Sequence, residues 1–340
     1  MKTMALGMNG SGGLVGLSVL ERGWLSSNNV LLHGSAEEQS VLIDTGHCLH
    51  AGQTVALIEH LLQGLPGAAG QLRAIVNTHL HSDHCGGNAR LSAHWAGLEI
   101  RVPVGEFEAV VAWDEDRLGY RDCGQRIERF AAQTALAPGE TLCVGGRSWQ
   151  ALAAPGHDPH ALMLFEPEAG VLISGDALWQ QGFGVIFPEL GRHADGSGFA
   201  AAAEVLDRIG CLPVRRVIPG HGSPFTDVAE ALQRARERLA SFQADPLRHA
   251  RHAARVLLKY HMLEEQRQAL VDLLGWAAQT PLMTALHDRL GAAQSMAGWV
   301  CAVVDDLRRS GALHLAEDVV AGQVIVIDGP AAPASPVQPH

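Results

Sequence analysis

Four short apolar runs in the first two-thirds of this chain each stop at a glycine turn that carries an aspartate or a histidine. Ser40 to Ile43 leads into Asp44-Thr-Gly46, and Ser148 to Ala153 leads into Pro155-Gly-His157. Val171 to Ile173 leads into Ser174-Gly-Asp176, and Arg216 to Ile218 into Pro219-Gly-His221. A fifth run, Leu72 to Thr78, closes on His79-Leu-His81-Ser-Asp83-His84. A strand that ends in a tight turn projects its next side chain at the rim of a sheet, where sites on α/β scaffolds form. The pattern therefore predicts an α/β fold with its chemistry at the strand ends.

The fifth run is the densest. Three imidazoles and a carboxylate within six residues make a donor set suited to a first-row divalent cation. In an extended segment His79 and His81 point to one side, because side chains alternate with period two. Asp83 and His84 are adjacent at a helix start and do not reach the same point, so two metal positions are expected. The chain has 18 histidines, enough for chance clustering. What argues against chance is the return of ligand-type residues at distant strand ends.

Taken together, the motifs at Asp44, His79-x-His81-x-Asp83-His84, His157, Asp176 and His221 resemble, in order, those of the metallo-β-lactamase superfamily. The resemblance covers roughly the first two-thirds of the chain. It implies an αββα sandwich, with two mixed sheets face to face, helices outside and metals at one edge. It also implies a ligand set. His79, His81 and His157 would hold one metal, Asp83, His84 and His221 the other, and Asp176 would bridge them. Asp44 matches a motif that supports the site from behind. Two divalent ions are implied, zinc first, with iron or manganese as alternatives. Such a pair acidifies a bound water from about 15.7 to about 7, and Asp83 or Asp176 would take its proton. Metal-assisted hydrolysis without a serine or cysteine nucleophile is the expected reaction.

Gly156-His-Asp-Pro-His160 offers two histidines, and the position after Pro-Gly favours His157; His160 is expected to orient the loop. His193 reads as a solvated loop residue. The six cysteines form no Cys-x-x-Cys pair, which fits neither a disulfide framework nor a zinc knuckle. Cys85 follows His84 and reads as a space-filler behind the ligands, with an oxidation-sensitive thiol as the competing reading.

Hydrophobic residues at 47% and charged ones at 18% indicate a globular protein with a substantial core. The N-terminus has too many glycines for a signal segment, and no apolar run is long enough for a membrane span, so a cytoplasmic location is expected. Of the net charge of −11, nearly all falls before Val228. That acidic balance is a poor match for long polyanions.

Three segments are expected: a catalytic domain over residues 1–227, a mainly helical domain over 228–328, and a disordered tail over 329–340. Ala229 to Gln243 carries Leu232, Ala235, Leu239 and Phe242 at helical spacing. Further helices are expected over Leu247 to Leu263, Gln266 to Ala277 and Trp299 to Arg309, then strands over Ala312 to Ala316 and Gln323 to Ile327. Helices followed by a hairpin resemble a winged helix, an addition found in the β-lactamase-like group that includes a mammalian endoribonuclease. Arg234, Arg236, Arg238, Arg248, Arg251, Arg255 and Lys259 make a basic strip, yet Asp305 and Asp306 sit on the candidate recognition helix. A lid or homodimer contact is the leading role for this part.

The leading function is hydrolysis of a small-molecule ester, thioester or lactone; the alternative is an endoribonuclease-like phosphodiesterase. Oxidative use of iron by the same ligands is a third. The lactonase reading lacks a tyrosine between Asp176 and His221, the only tyrosines being Tyr120 and Tyr260. Trp179, Phe183 and Phe187, just past Asp176, are expected to line an apolar pocket.

Overall fold

The computed structural model of the protein describes residues 3–4, 15–191, 194–318 and 322–329. The glycine-rich N-terminal segment, His193 and the tail from residue 330 onward fall outside them. The chain divides into two compact units, the first running to Pro246 apart from residues 122–124, which group with the second.

The first unit holds two sheets. In one, β1 (Thr3–Met4), β2 (Leu17–Leu20), β3 (Asn29–Leu32), β4 (Ser40–Ile43), β5 (Leu72–Val76), β6 (Glu99–Pro103) and β7 (Thr134–Leu136) lie side by side in chain order. β1 to β4 pair antiparallel and β4 to β7 parallel. Parallel neighbours need crossover connections. These carry α1 (Ala51–Gln63), α2 (Ser82–Cys85), α3 (Asn88–His94), α4 (Val104–Ala112) and α5 (Tyr120–Cys123). The other sheet has β8 (Thr141–Val144), β9 (Arg147–Ala153), β10 (Leu162–Glu166), β11 (Val171–Gly175) and β12 (Arg216–Pro219), in the order β12-β11-β10-β9-β8. Only β11 and β12 run parallel, joined through α6 (Ser197–Cys211).

Period-two alternation sorts the strand residues into layers. Val41 and Ile43 face the second sheet with Val76, Trp149, Leu164 and Ile173, while Leu42 and Ile75 face α1, α3 and α4. Met163, Phe165, Leu172 and Val217 face outward under α6. Both faces of these strands are covered, which is why they read as continuous apolar runs rather than alternating ones. The result is the αββα layering expected from the resemblance. Truncating a side chain such as Leu42, 0% exposed, costs about 2–5 kcal/mol in a core of this kind.

The boundary expected at residue 228 needs correcting. α7 (Val228–Ala244) is the amphipathic helix foreseen, with Leu232, Ala235, Leu239 and Phe242 buried. Those side chains join α6 and the outer face of the second sheet in one cluster, so α7 belongs to the first unit, which ends at Pro246.

The second unit holds α8 (Pro246–Glu265), β13 (Arg267–Ala269), α9 (Leu270–Gln279), α10 (Pro281–Leu290), α11 (Met296–Arg309), β14 (Leu313–Asp318) and β15 (Gln323–Asp328). Its three strands form an antiparallel sheet in the order β13-β15-β14. The helix expected from Gln266 starts later. Gln266 sits at φ +59°, which ends α8, and Arg267 to Ala269 extend to pair with β15. No helix among the described residues is long and apolar enough to cross a membrane.

Candidate metal centre

Just past β4, Asp44 is held at φ +55°, in the left-handed region that aspartate tolerates better than most side chains. This bend turns the carboxylate onto the end of β5. Oδ1 accepts the Thr78 backbone N–H at 2.8 Å, and Oδ2 accepts the Thr78 hydroxyl at 2.8 Å and His84 Nδ1 at 2.8 Å. A carboxylate only accepts, so the His84 proton lies on Nδ1 and Nε2 is presented to the cleft. Past Thr78 the chain enters α2, which carries Asp83 in its first turn and His84 in its last. The loop is pinned from both sides: Ser27 N–H donates to the Asp83 carbonyl, and Thr45 N–H to that of His84.

The second sheet supplies the rest. His157 donates Nδ1–H to the Val185 carbonyl at 2.5 Å, which turns Nε2 toward His81 Nδ1 at 2.8 Å and Asp176 Oδ2 at 3.3 Å. Asp176 Oδ1 lies 3.3 Å from His84 Nε2, and His221 Nε2 lies 3.0 Å from Asp83 Oδ2. Two glycines permit this crowding. A Cβ on Gly220 would fall 2.2 Å from Asp176 Oδ1, and one on Gly184 would fall 2.4 Å from His157 Nδ1. Asn28 steadies the His221 turn, donating its side-chain amide to the carbonyls of Pro219 and Gly222.

Three donor groups result, each with its ligand atoms within 4.8 Å of one another: His79, His81 and His157; His79, His84 and Asp176; Asp83, His84 and His221. Nε2 of His79 and Nε2 of His84 are buried without a hydrogen-bond partner. Buried nitrogens are rarely left so, and a cation between the groups would satisfy both. The donor chemistry, imidazole with carboxylate, suits zinc and its neighbours.

The electrostatics agree. Burial and the adjoining imidazoles push His79 well below the usual histidine range and His81 down to about 3, so both offer neutral lone pairs. Burial alone would raise Asp83, but the His84 charge and the His221 hydrogen bond outweigh it and hold the carboxyl at about 2. Asp176 is held well below its range against burial, chiefly by His84 and His221. For His84 burial opposes the charge, yet Asp176, Asp44 and Asp83 together hold it well above its range. Three carboxylates thus gather positive charge at the spot where a cation would sit.

All seven residues singled out as ligands fall into these groups, and Asp44 stands behind them. His160 does not join them: it is exposed and packs against Gly105. Cys85 turns away into the helix-side core, with Sγ 3.2 Å from the Leu80 carbonyl and 3.4 Å from the Tyr120 hydroxyl; burial pushes its thiol well up, which disfavours the reactive thiolate. Phe183 is a core residue packed on Phe242, and it also lines a small cavity beside His157 and Asp176. Phe187 does reach the site, its ring 4.6 Å from that of His81. Trp179 donates its indole N–H to Asp176 Oδ1 at 3.1 Å. Trp24 went unnoticed in the sequence. It stacks on His221 at 5.3 Å and 11° while staying 61% exposed. Its one local signal is a large aromatic within the polar segment Arg22 to Asn29.

The Metallo-beta-lactamase superfamily model matches residues 22–221. Among curated proteins, the chain is 34% identical over 157 residues to a hydroxyacylglutathione hydrolase of Synechococcus sp. (strain JA-3-3Ab), an alignment covering 46% of this chain and 51% of that one. It thus spans about half the length of that relative. It is 29% identical over 223 residues to the acyl-coenzyme A thioesterase MBLAC2 of Homo sapiens, covering 61% of this chain and 78% of the relative. Among solved structures, a metallo-beta-lactamase family protein from Thermus thermophilus aligns with a TM-score of 0.52 at 24% identity, covering 92% of this chain and 98% of the other. With its family model spanning more than half the chain and its strand-end motifs gathered at one edge of an αββα sandwich, the chain belongs to the metallo-β-lactamase superfamily.

Proposed function

We propose that the protein is a metal-dependent hydrolase of small acyl thioesters. It holds two divalent cations, zinc first among candidates. His79, His81 and His157 surround one position, Asp83, His84 and His221 the other, and Asp176 lies between them. The observation that carries this reading is the convergence of seven donors around two orphaned, buried imidazole nitrogens. The named activity of the human relative favours a thioester within the hydrolase class.

When bound, such cations polarise a carbonyl oxygen and acidify water to a pKa of about 7. The chain's own groups do the rest. Asp83 stays ionised and keeps 8% exposure, so its carboxylate can take the proton of the attacking water. Asp44 and Val185 fix the imidazoles of His84 and His157 in the tautomers that face the cleft. Trp24 beside His221 and Phe187 beside His81 give the site apolar borders suited to an acyl chain. We read the helices and hairpin of the second unit as winged-helix-like, serving as a homodimer contact.

Metal analysis of the purified protein, coupled to a panel of thioester, lactone, phosphodiester and RNA substrates, tests the reading. Thioester turnover abolished in Asp176→Ala is expected. Cleavage of RNA with no thioester turnover would replace this reading with the nuclease alternative.

A further inference from the structure

The bridging position of Asp176 gives its two oxygens different neighbours. Oδ2 faces His157 Nε2 at 3.3 Å. Oδ1 faces His84 Nε2 at 3.3 Å and His221 Nε2 at 4.0 Å, and it alone receives the indole N–H of Trp179 at 3.1 Å. The donor is therefore aimed at the oxygen on the side of Asp83, His84 and His221.

Trp179 is well held for such a task. Its backbone N–H donates to the Gly182 carbonyl at 2.6 Å and its carbonyl accepts the Gly182 N–H at 3.3 Å, closing a tight turn just past Asp176. Its ring meets Trp24 edge-on at 5.6 Å and His221 at 5.4 Å. Gly184 N–H returns to the Asp176 carbonyl at 2.9 Å, so the segment that aims the indole also fixes the backbone of the aspartate. A carboxylate that spans two cation positions must not rotate. The indole bond supplies that restraint on one oxygen only.

We propose that Trp179 is a positioning residue that sets the affinity of the second cation position, the one bounded by Asp83, His84 and His221, through Oδ1 of Asp176. The proposal rests on the dinuclear reading above. Partners behind a ligand are typically worth 10–100-fold in metal affinity. Trp179→Phe keeps an aromatic ring and loses the donor, so it weakens the second Zn2+ by roughly 10–100-fold and the first much less. Trp179→Tyr, which restores a donor, recovers most of that loss.

The test titrates metal-stripped full-length wild type and both variants with Zn2+ against a chelating dye, with metal content read by mass spectrometry. Equal affinities in wild type and Trp179→Phe would overturn the proposal, as would equal losses in the Phe and Tyr variants, which would mark a packing role. A second reading needs no change at Trp179. In 15N-indole-labelled Trp24→Phe protein, an indole N–H signal is expected to move between the first and second equivalents of Zn2+; none moving overturns the proposal even if the Trp179 variants do not fold. Wild type that takes up a single Zn2+ would overturn the dinuclear reading and this proposal with it. Two-site wild type with an unaltered variant would overturn the proposal alone.

Discussion

Asp44→Asn changes one atom in a side chain that touches no cation position, and its effect can be worked out from three hydrogen bonds. Asp44 accepts from Thr78 N–H, from the Thr78 hydroxyl and from His84 Nδ1, each at 2.8 Å. An asparagine that keeps its oxygen on the Thr78 N–H must turn its NH2 toward His84 Nδ1. Two donors then face each other unless the imidazole moves its proton to Nε2. That nitrogen points at Asp176 Oδ1, 3.3 Å away, into the second donor group, and once protonated it cannot ligate. Restoring the useful tautomer leaves a buried donor unmatched, at a cost of about 1–3 kcal/mol. At 1.4 kcal/mol per tenfold, the second Zn2+ should bind roughly 10–100-fold more weakly. The first position, built from His79, His81 and His157, meets Asp44 only at one remove, through the Thr78 hydroxyl 3.1 Å from His79 Nδ1, and should lose less affinity than the second. Competition with a chelating dye reads both steps, and circular dichroism of the stripped variant checks that the fold survives. Two Zn2+ ions bound at wild-type affinity would refute the tautomer argument.

Metal loading should release protons, because His84 is held well above its usual range by three carboxylates and must give up its Nε2 proton to ligate. Calorimetry in buffers of different ionisation enthalpy measures the release, which should hold through neutral pH and fade only as pH rises well above the usual histidine range; zero release at pH 6 would contradict the assignment. Acid should weaken the stripped protein through His79 and His81. Their folded values lie below the unfolded one of about 6.5, so their stabilisation is complete above that pH and is lost as pH falls toward the value of about 3 for His81. Thermal melts of stripped protein across this window should slope downward with acid, and a flat profile would count against it. Glu106 is a buried carboxyl whose Oε2 has no partner and whose pKa is pushed well up by burial and by Asp158. Its folded value exceeds the unfolded one, so the protein loses stability as pH rises above about 4.5. Glu106→Gln should therefore melt a few degrees higher at pH 8, on the scale of about 1–3 kcal/mol for an unmatched buried group, with the gap closing near pH 4; a lower melting temperature at pH 8 would refute this.

What could be read from the sequence followed how local each cause is. The candidate donors were legible because each sits within a few residues of a strand end, and the resemblance that those motifs carry grouped His157, Asp176 and His221 with the His79 to His84 run. The layers were legible because strands covered on both faces, such as Ser40–Ile43, have no polar side to show. Causes that cross the sheet left no trace. The stacking of Trp24 on His221 joins residues from different sheets. The periodicity of Val228–Ala244 announces a helix but not which surface it covers, and that surface decided where the first unit ends. At Gln266, pairing of the next three residues with β15 overrode a local helical pattern. Trp179 was noticed as bulk, while its single polar atom proved the part that touches the site.

The donor groups draw on two sheets that share no strand ladder and are tied at this edge by single backbone bonds, Leu162 N–H to the Thr78 carbonyl and Asn28 N–H to that of Gly220. The first sheet's loops bring His79, His81, Asp83 and His84, and the second sheet's bring His157, Asp176 and His221. A bound cation would therefore be a rivet through the sandwich. By mass action, whatever favours its seating also favours sheet docking. The converse follows. A substitution at Trp149, 1% exposed in the interface between the sheets, should register as leakage of metal before any ligand has been touched.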